Sequence, residues 1–213
     1  LSFDETSANT IKLVDALHGN ALSTVSNVEN IDINVSDNIT HLNSHTLTFG
    51  TSGADNLTAT GADAVVFGGA GNDTLTARGD SVTLMGGSGN DTLNFGFDSS
   101  GILSGGTGTD KAVLTIGSVL PPLTLAHDSG SLVWSLQDMP GHSVIQLTLD
   151  EDTHVFQLDT AGGADLGYGK ANLFTGHSDL SSIETLVIQT SAGTPVTTLM
   201  LDDVKQSVAV IPV

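Results

Sequence analysis

The sequence predicts an all-β chain organised around a parallel β-roll, or β-helix, flanked by further β-sandwich or β-helical units. Three observations predict it. Blocks of glycine and aspartate recur in register, as GTSGADNLT from Gly50, GGAGNDTLT from Gly68, GGSGNDTLN from Gly86 and GGTGTDKAV from Gly105, with starts 18, 18 and 19 residues apart. Leu57, Val66, Leu75, Leu84 and Leu93 fall nine residues apart through the same stretch, giving each half-turn one inward apolar position. The remainder alternates apolar and polar residues in short runs, the pattern of strands with one buried face. A fixed period with glycines in register marks a solenoid, so one turn is expected to hold two short strands and two bends.

Residues 1–49 form the first expected unit, a β cap. Ile31, Ile33 and Val35, and then Leu47 and Phe49, alternate between asparagines and serines, and only Thr10 to Leu17 could pass as a helical turn or two. Residues 50–113 form the roll itself. Its halves ATGADAVVF and ARGDSVTLM keep the strand register without the full glycine motif, and the ten-residue half FGFDSSGILS predicts a bulge or slip. Residues 114–213 form the third expected unit, in which HSVIQLTLD, THVFQLD, ETLVIQT and TTLMLDD alternate between breakers such as Pro121, Pro122 and Met139-Pro140-Gly141. The flanks resemble each other: SNVENIDI at Ser26 lies over SSIETLVI at Ser181, and LSFDET at Leu1 over FQLDTA at Phe156, at one offset of 155.

Composition narrows the function. Five lysines and arginines stand against 24 acidic residues, for a formal charge of −19. Such a chain repels nucleic acid and anionic membranes and attracts cations. Without cysteine it has neither disulfides nor thiolate metal sites. It holds no run of 18 apolar residues, and the opening LSFDETSANT does not have the form of a signal peptide, so neither membrane insertion nor Sec export is expected. Starting at Leu1 rather than methionine, the chain is expected to be a piece of a longer protein.

The blocks themselves carry metal chemistry. Glycines allow positive φ and let carbonyls turn toward one point. Calcium takes about six to eight oxygens at roughly 2.3–2.6 Å, which carbonyls and a carboxylate supply. The candidate ligand bends hold Asp55; Gly68, Gly69, Gly71 and Asp73; Gly86, Gly87, Gly89 and Asp91; and Gly105, Gly106, Gly108 and Asp110. Stacking at the β-sheet spacing of about 4.8 Å sets each carboxylate beside the next. Like charges so placed repel unless a cation lies between them, and no lysine or arginine stands in these bends before Lys111. Two to three Ca2+ ions are expected along one edge, the site nearest Gly50 being weakest because Thr51 replaces its second glycine. Ligands on separate turns meet only on folding, so binding free energy becomes folding free energy.

These blocks resemble the repeats-in-toxin (RTX) calcium-binding family. The flanking pattern S-x-[VI]-E-x-[IL]-x-I and the stretch TTLMLDDV resemble units of giant RTX adhesins and related surface proteins of Gram-negative bacteria. The resemblance implies a right-handed parallel β-roll, type I secretion through a C-terminal signal, and folding on meeting millimolar calcium outside the cell.

Other constellations are weaker. A phosphate-cradling loop needs G-K-[ST] and a following helix, neither of which is here. Arg78-Gly79-Asp80 spells an integrin-recognition tripeptide, a match short enough to arise by chance. His41 and His45 have helical zinc spacing in strand-like sequence, and His18, His127, His142, His154 and His177 are scattered. Asp150-Glu151-Asp152 and Asp202-Asp203 could act as acid and base or bind calcium, though acidic runs at strand ends are usually solvated. GHSD at Gly176 and GTSG at Gly50 fail the G-x-S-x-G nucleophile pattern. Trp134 and Tyr168 could stack on a sugar, with packing the simpler role. The expected function is a non-enzymatic, calcium-dependent module of an extracellular adhesin or biofilm protein, with a cell-surface glycan or protein as its partner. A surface-layer lattice protein and the calcium and secretion module of an exported enzyme are the alternatives.

Overall fold

The computed structural model describes residues 2–7, 10–14, 21–26, 30–33, 45–97, 99–116, 123–127, 129–139, 142–161 and 174–211. Every regular element among them is a strand. The first three, β1 (Ser2–Ser7), β2 (Thr10–Val14) and β3 (Ala21–Ser26), form an antiparallel sheet of their own. Thr10 to Val14 is therefore strand, not the helical turn its spacing allowed. β-branched Thr10, Ile11 and Val14 favour the extended backbone, and β2 pairs on both sides. β4 (Asn30–Ile33) follows.

The coil runs through β5 (His45–Phe49), β6 (Asn56–Ala59), β7 (Val65–Ala70), β8 (Thr74–Ala77), β9 (Val82–Ser88), β10 (Thr92–Gly96), β11 (Gly101–Thr107) and β12 (Lys111–Ile116). Successive strands alternate between two parallel sheets, so β6, β8, β10 and β12 stack on one side and β5, β7, β9 and β11 on the other. The nine-residue apolar register sets this pairing. Leu57, Leu75, Leu93 and Ala112 are partners along one sheet, and Val66, Leu84 and Leu103 along the other. Leu75, Leu84, Leu93, Val66 and Ala112 are fully buried. The extra residue of FGFDSSGILS enters the bend between Gly96 and Gly101 rather than a strand, because the pairing of β10 with β12 and of β11 with β9 stays unbroken across it.

The roll's sheets pass both boundaries expected at residues 50 and 113. β5 already pairs in parallel with β7. After β12 the chain forms the antiparallel strands β13 (Thr124–His127), β14 (Val133–Met139), β15 (His142–Asp150) and β16 (Val155–Ala161), and then re-enters the coil as β17 (Phe174–Ser181) and β18 (Thr185–Thr190). Leu180 of β17 pairs with Leu103, and Leu186 of β18 with Ala112, both in parallel. The ladder β13–β16 extends one sheet beyond β17, while β19 (Pro195–Asp202) and β20 (Ser207–Ile211) extend the other beyond β18. One hydrophobic core runs from Val66 through Trp134 and Leu158 to Leu201. The C-terminal strands are thus continuations of the roll's two sheets. The likeness of the flanks extends to one pairing: β4 is antiparallel to β5 as β18 is to β19, with Ile31 opposite Leu47 and Leu186 opposite Leu199.

Candidate metal centre

The glycine blocks form the bends along one edge of the coil, and each glycine has a physical reason. In the block from Gly86, the left-handed backbone at Gly87 (φ 107) and Gly89 (φ 130) excludes a Cβ. Gly86 is needed for space, because its Cβ would lie within 3 Å of both Asp91 Oδ2 and the Gly105 carbonyl oxygen. The pattern recurs on the adjacent turns. Gly69, Gly71, Gly106 and Gly108 have positive φ, and a Cβ on Gly68 would collide with Asp73 Oδ2 and the Gly86 carbonyl.

A carboxylate ladder runs through these bends. Asp73 Oδ1 accepts the amide of Asp55 at 2.8 Å, Asp91 Oδ1 that of Asp73 at 2.8 Å, and Asp110 Oδ1 that of Asp91 at 2.7 Å. Asp73, Asp91 and Asp110 are each 1% exposed. Their second oxygens are buried without any hydrogen-bond partner. A buried acceptor left unpaired costs about 1–3 kcal/mol and more when charged, so the three oxygens are unfavourable as they stand. Burial pushes the Asp73 carboxyl up to about 6, against the lowering effect of the Asp55 amide and with the charges of Asp91 and Asp55 adding to it. Burial likewise raises Asp91 and Asp110.

This arrangement fits a hard cation. A carboxylate oxygen and a backbone carbonyl oxygen converge at Gly68 and again at Gly86, where a Cβ would intrude on both. Among the described residues no group of three His, Cys, Asp or Glu side chains could hold a metal. An ion here would take much of its shell from carbonyls, as calcium can. None of the ion pairs among the described residues involves the ladder.

The two ends of the ladder differ from its middle. In the first bend the Thr51 amide donates to Asp55 Oδ2 at 2.6 Å and the Thr51 hydroxyl at 2.9 Å. Protein groups thus satisfy the oxygen that is orphaned on the later turns. At the other end the Asp110 amide donates to Glu184 Oε2 at 2.6 Å, so Glu184 occupies the place of a fifth aspartate. Sequence reasoning missed Glu184 and Ser182 as members of the edge. The signal was in SSIETLVI, whose acidic residue precedes an alternating strand as each ladder aspartate does.

The other candidates lie apart from the ladder. Asp80 of the Arg78-Gly79-Asp80 tripeptide has its Oδ1 engaged by the amides of Ser81 and Ser100 and by the Ser100 hydroxyl, which ties that carboxylate into the opposite edge. Asp150 accepts the amides of Asp152 and Thr153, and Asp202 accepts that of Lys205, so these acidic residues shape turns. Trp134 is 3% exposed and packs on His127 and Phe156, a core role that leaves no face for a sugar. His177 Nδ1 donates to Asp159 Oδ1 at 2.6 Å on the surface. Tyr168, His18 and His41 lie outside the described residues.

The sequence pattern of the family described as RTX calcium-binding nonapeptide repeat (4 copies) matches residues 49–84 and again 67–102. No curated protein and no solved structure matches the chain. Every turn the repeats cover is one whose bends stack along the same edge, and this part of the coil, residues 49–102, is an RTX calcium-binding β-roll.

Proposed function

We propose that this chain is a calcium-gated structural segment of a secreted surface protein of adhesin or biofilm type, exported by a type I system, without enzymatic activity. The orphaned second oxygens of Asp73 and Asp91 carry the reading. In the absence of a cation, folding buries these two carboxylates, and that of Asp110, uncompensated in successive turns of a chain whose formal charge is −19. Self-repulsion of that size opposes compaction. Calcium, when bound, supplies positive charge and a demand for oxygen ligands. Asp73 and Asp91 then orient Oδ2 toward the Gly86 and Gly105 carbonyls while Oδ1 stays on the preceding amide. The glycines keep the cradle open, and the leucine columns beneath hold the bends in register.

Since the ligands come from separate turns, affinity for calcium converts to stability of the roll. Such a segment stays extended where calcium is scarce and coils where it is plentiful, which suits export followed by folding outside the cell. A cell-surface glycan or protein is the partner class for such a segment. The test is circular dichroism with size exclusion during a calcium titration, alongside Asp73→Ala and Asp91→Ala. An expanded chain in chelator that compacts on adding calcium, with a shifted midpoint in each variant, is expected. A compact chain indifferent to chelator overturns the reading.

A further inference from the structure

The repeats end at Asp110, yet the edge they build does not. Asp110 Oδ2 is buried and unpartnered like those of Asp73 and Asp91. A Cβ on Gly105 would lie within 3 Å of that oxygen and of the Ser182 carbonyl oxygen, as a Cβ on Gly86 would meet Asp91 Oδ2 and the Gly105 carbonyl. Ser182 follows Ser181, the partner of Ser104, so it takes the place of Gly105 on the next turn, with φ 50 where the repeats keep positive φ for their second and third glycines. Glu184 Oε2 takes the Asp110 amide at 2.6 Å, matching the 2.7 Å bond from the Asp91 amide to Asp110. A short bend without glycine thus reproduces the carbonyl and the carboxylate of a repeat.

We infer that Asp110, Ser182 and Glu184 close a further calcium site, and that an ion there fastens the segment returning from β13–β16 to the roll. Asp110 supplies its orphaned oxygen and Ser182 its carbonyl. Glu184 holds the Asp110 amide and adds a second negative charge. The residues it joins are 74 apart in sequence. Among the described residues no repeat between them provides a nearer partner, because β13–β16 are antiparallel strands that pair with one another and with β17. The ion would therefore fix the entry of β17 and β18 into the two sheets, making the continuous core conditional on calcium. This rests on the calcium reading above, and extends it to residues that the repeats do not include.

The test counts calcium ions on the full chain by native mass spectrometry and follows amide hydrogen exchange. Asp110→Asn keeps the acceptor for the Asp91 amide and removes the orphaned charge. It is expected to bind one ion fewer than the parent and to lose calcium-dependent protection in β17 and β18 while keeping it in β8 and β9. Glu184→Gln keeps an acceptor for the Asp110 amide and should weaken one ion about tenfold, so it decides the matter if Asp110→Asn does not fold. Equal ion counts and equal calcium midpoints in the parent and in Glu184→Gln overturn the closing site. A parent that binds no ion overturns the calcium reading as well, and is told apart by the absence of all calcium-dependent protection.

Discussion

The Thr51 amide and the Asp55 carboxylate face each other at 2.6 Å, and the Thr51 hydroxyl reaches the same Oδ2 at 2.9 Å. That carboxylate therefore has internally what Asp73 and Asp91 lack. Of these two bonds the hydroxyl's is the one that threonine adds over a glycine, and the same hydroxyl accepts the Gly53 amide at 3.2 Å.

Thr51→Gly should reopen the first bend. One added calcium ion by native mass spectrometry is the expected outcome, with a loss of about 1 kcal/mol in chelator from the missing hydroxyl bond. An unchanged ion count would show that the threonine is not what keeps this bend from binding.

Asp91→Asn should change sign with calcium. Its Oδ1 still accepts the Asp73 amide, while the unpaired charge is gone, so urea unfolding in chelator should show a gain of about 1–3 kcal/mol. In saturating calcium the same variant loses an ion and should be less stable than the parent by at least as much. A variant destabilised equally in both media would mean that the carboxylate serves packing alone.

Acid should partly substitute for calcium. Burial pushes Asp73 from 3.8 up to about 6, so protonation is favoured in the folded state. Its stabilising contribution is complete below pH 3.8 and is lost as pH rises through about 6. In chelator the roll should gain stability on acidification across that window, by on the order of 3 kcal/mol for this carboxyl. With calcium present, proton and ion compete for one oxygen, so the calcium midpoint should rise as pH falls below about 6. Thermal melts and calcium titrations at stepped pH check both directions.

The sequence made the middle of this edge legible and its ends obscure. Asp73, Asp91 and Asp110 could be placed because a fixed period leaves only one stacking that also buries Leu75 and Leu93 together. Glu184 could not, because it joins Asp110 across 74 residues through a bend that has lost the glycines. Alternation in HSVIQLTLD predicts a strand with one buried face, but its partner depends on tertiary packing that periodicity does not encode. For that reason the docking of β13–β16 onto β17, and the shared core that follows, emerge only in three dimensions. Asp80 shows the converse: its tripeptide attracts attention, and its hydrogen bonds explain it.

Two glycine substitutions separate space from flexibility. Gly86 and Gly61 both lie outside the left-handed region, so alanine at either is conformationally allowed. A Cβ at Gly61 meets nothing within 4 Å, whereas one at Gly86 intrudes on Asp91 Oδ2 and the Gly105 carbonyl. Gly61→Ala should be neutral or stabilising by about 0.4–1 kcal/mol, through the lower entropy of the unfolded chain. Gly86→Ala fills the cradle with a methyl group, so it should lose one calcium ion and about 1–3 kcal/mol of stability in calcium, the usual cost of overpacking. Differential scanning calorimetry with and without calcium, alongside ion counting, reads both. If Gly86→Ala keeps its full complement of ions, the space beside Asp91 is not where calcium sits.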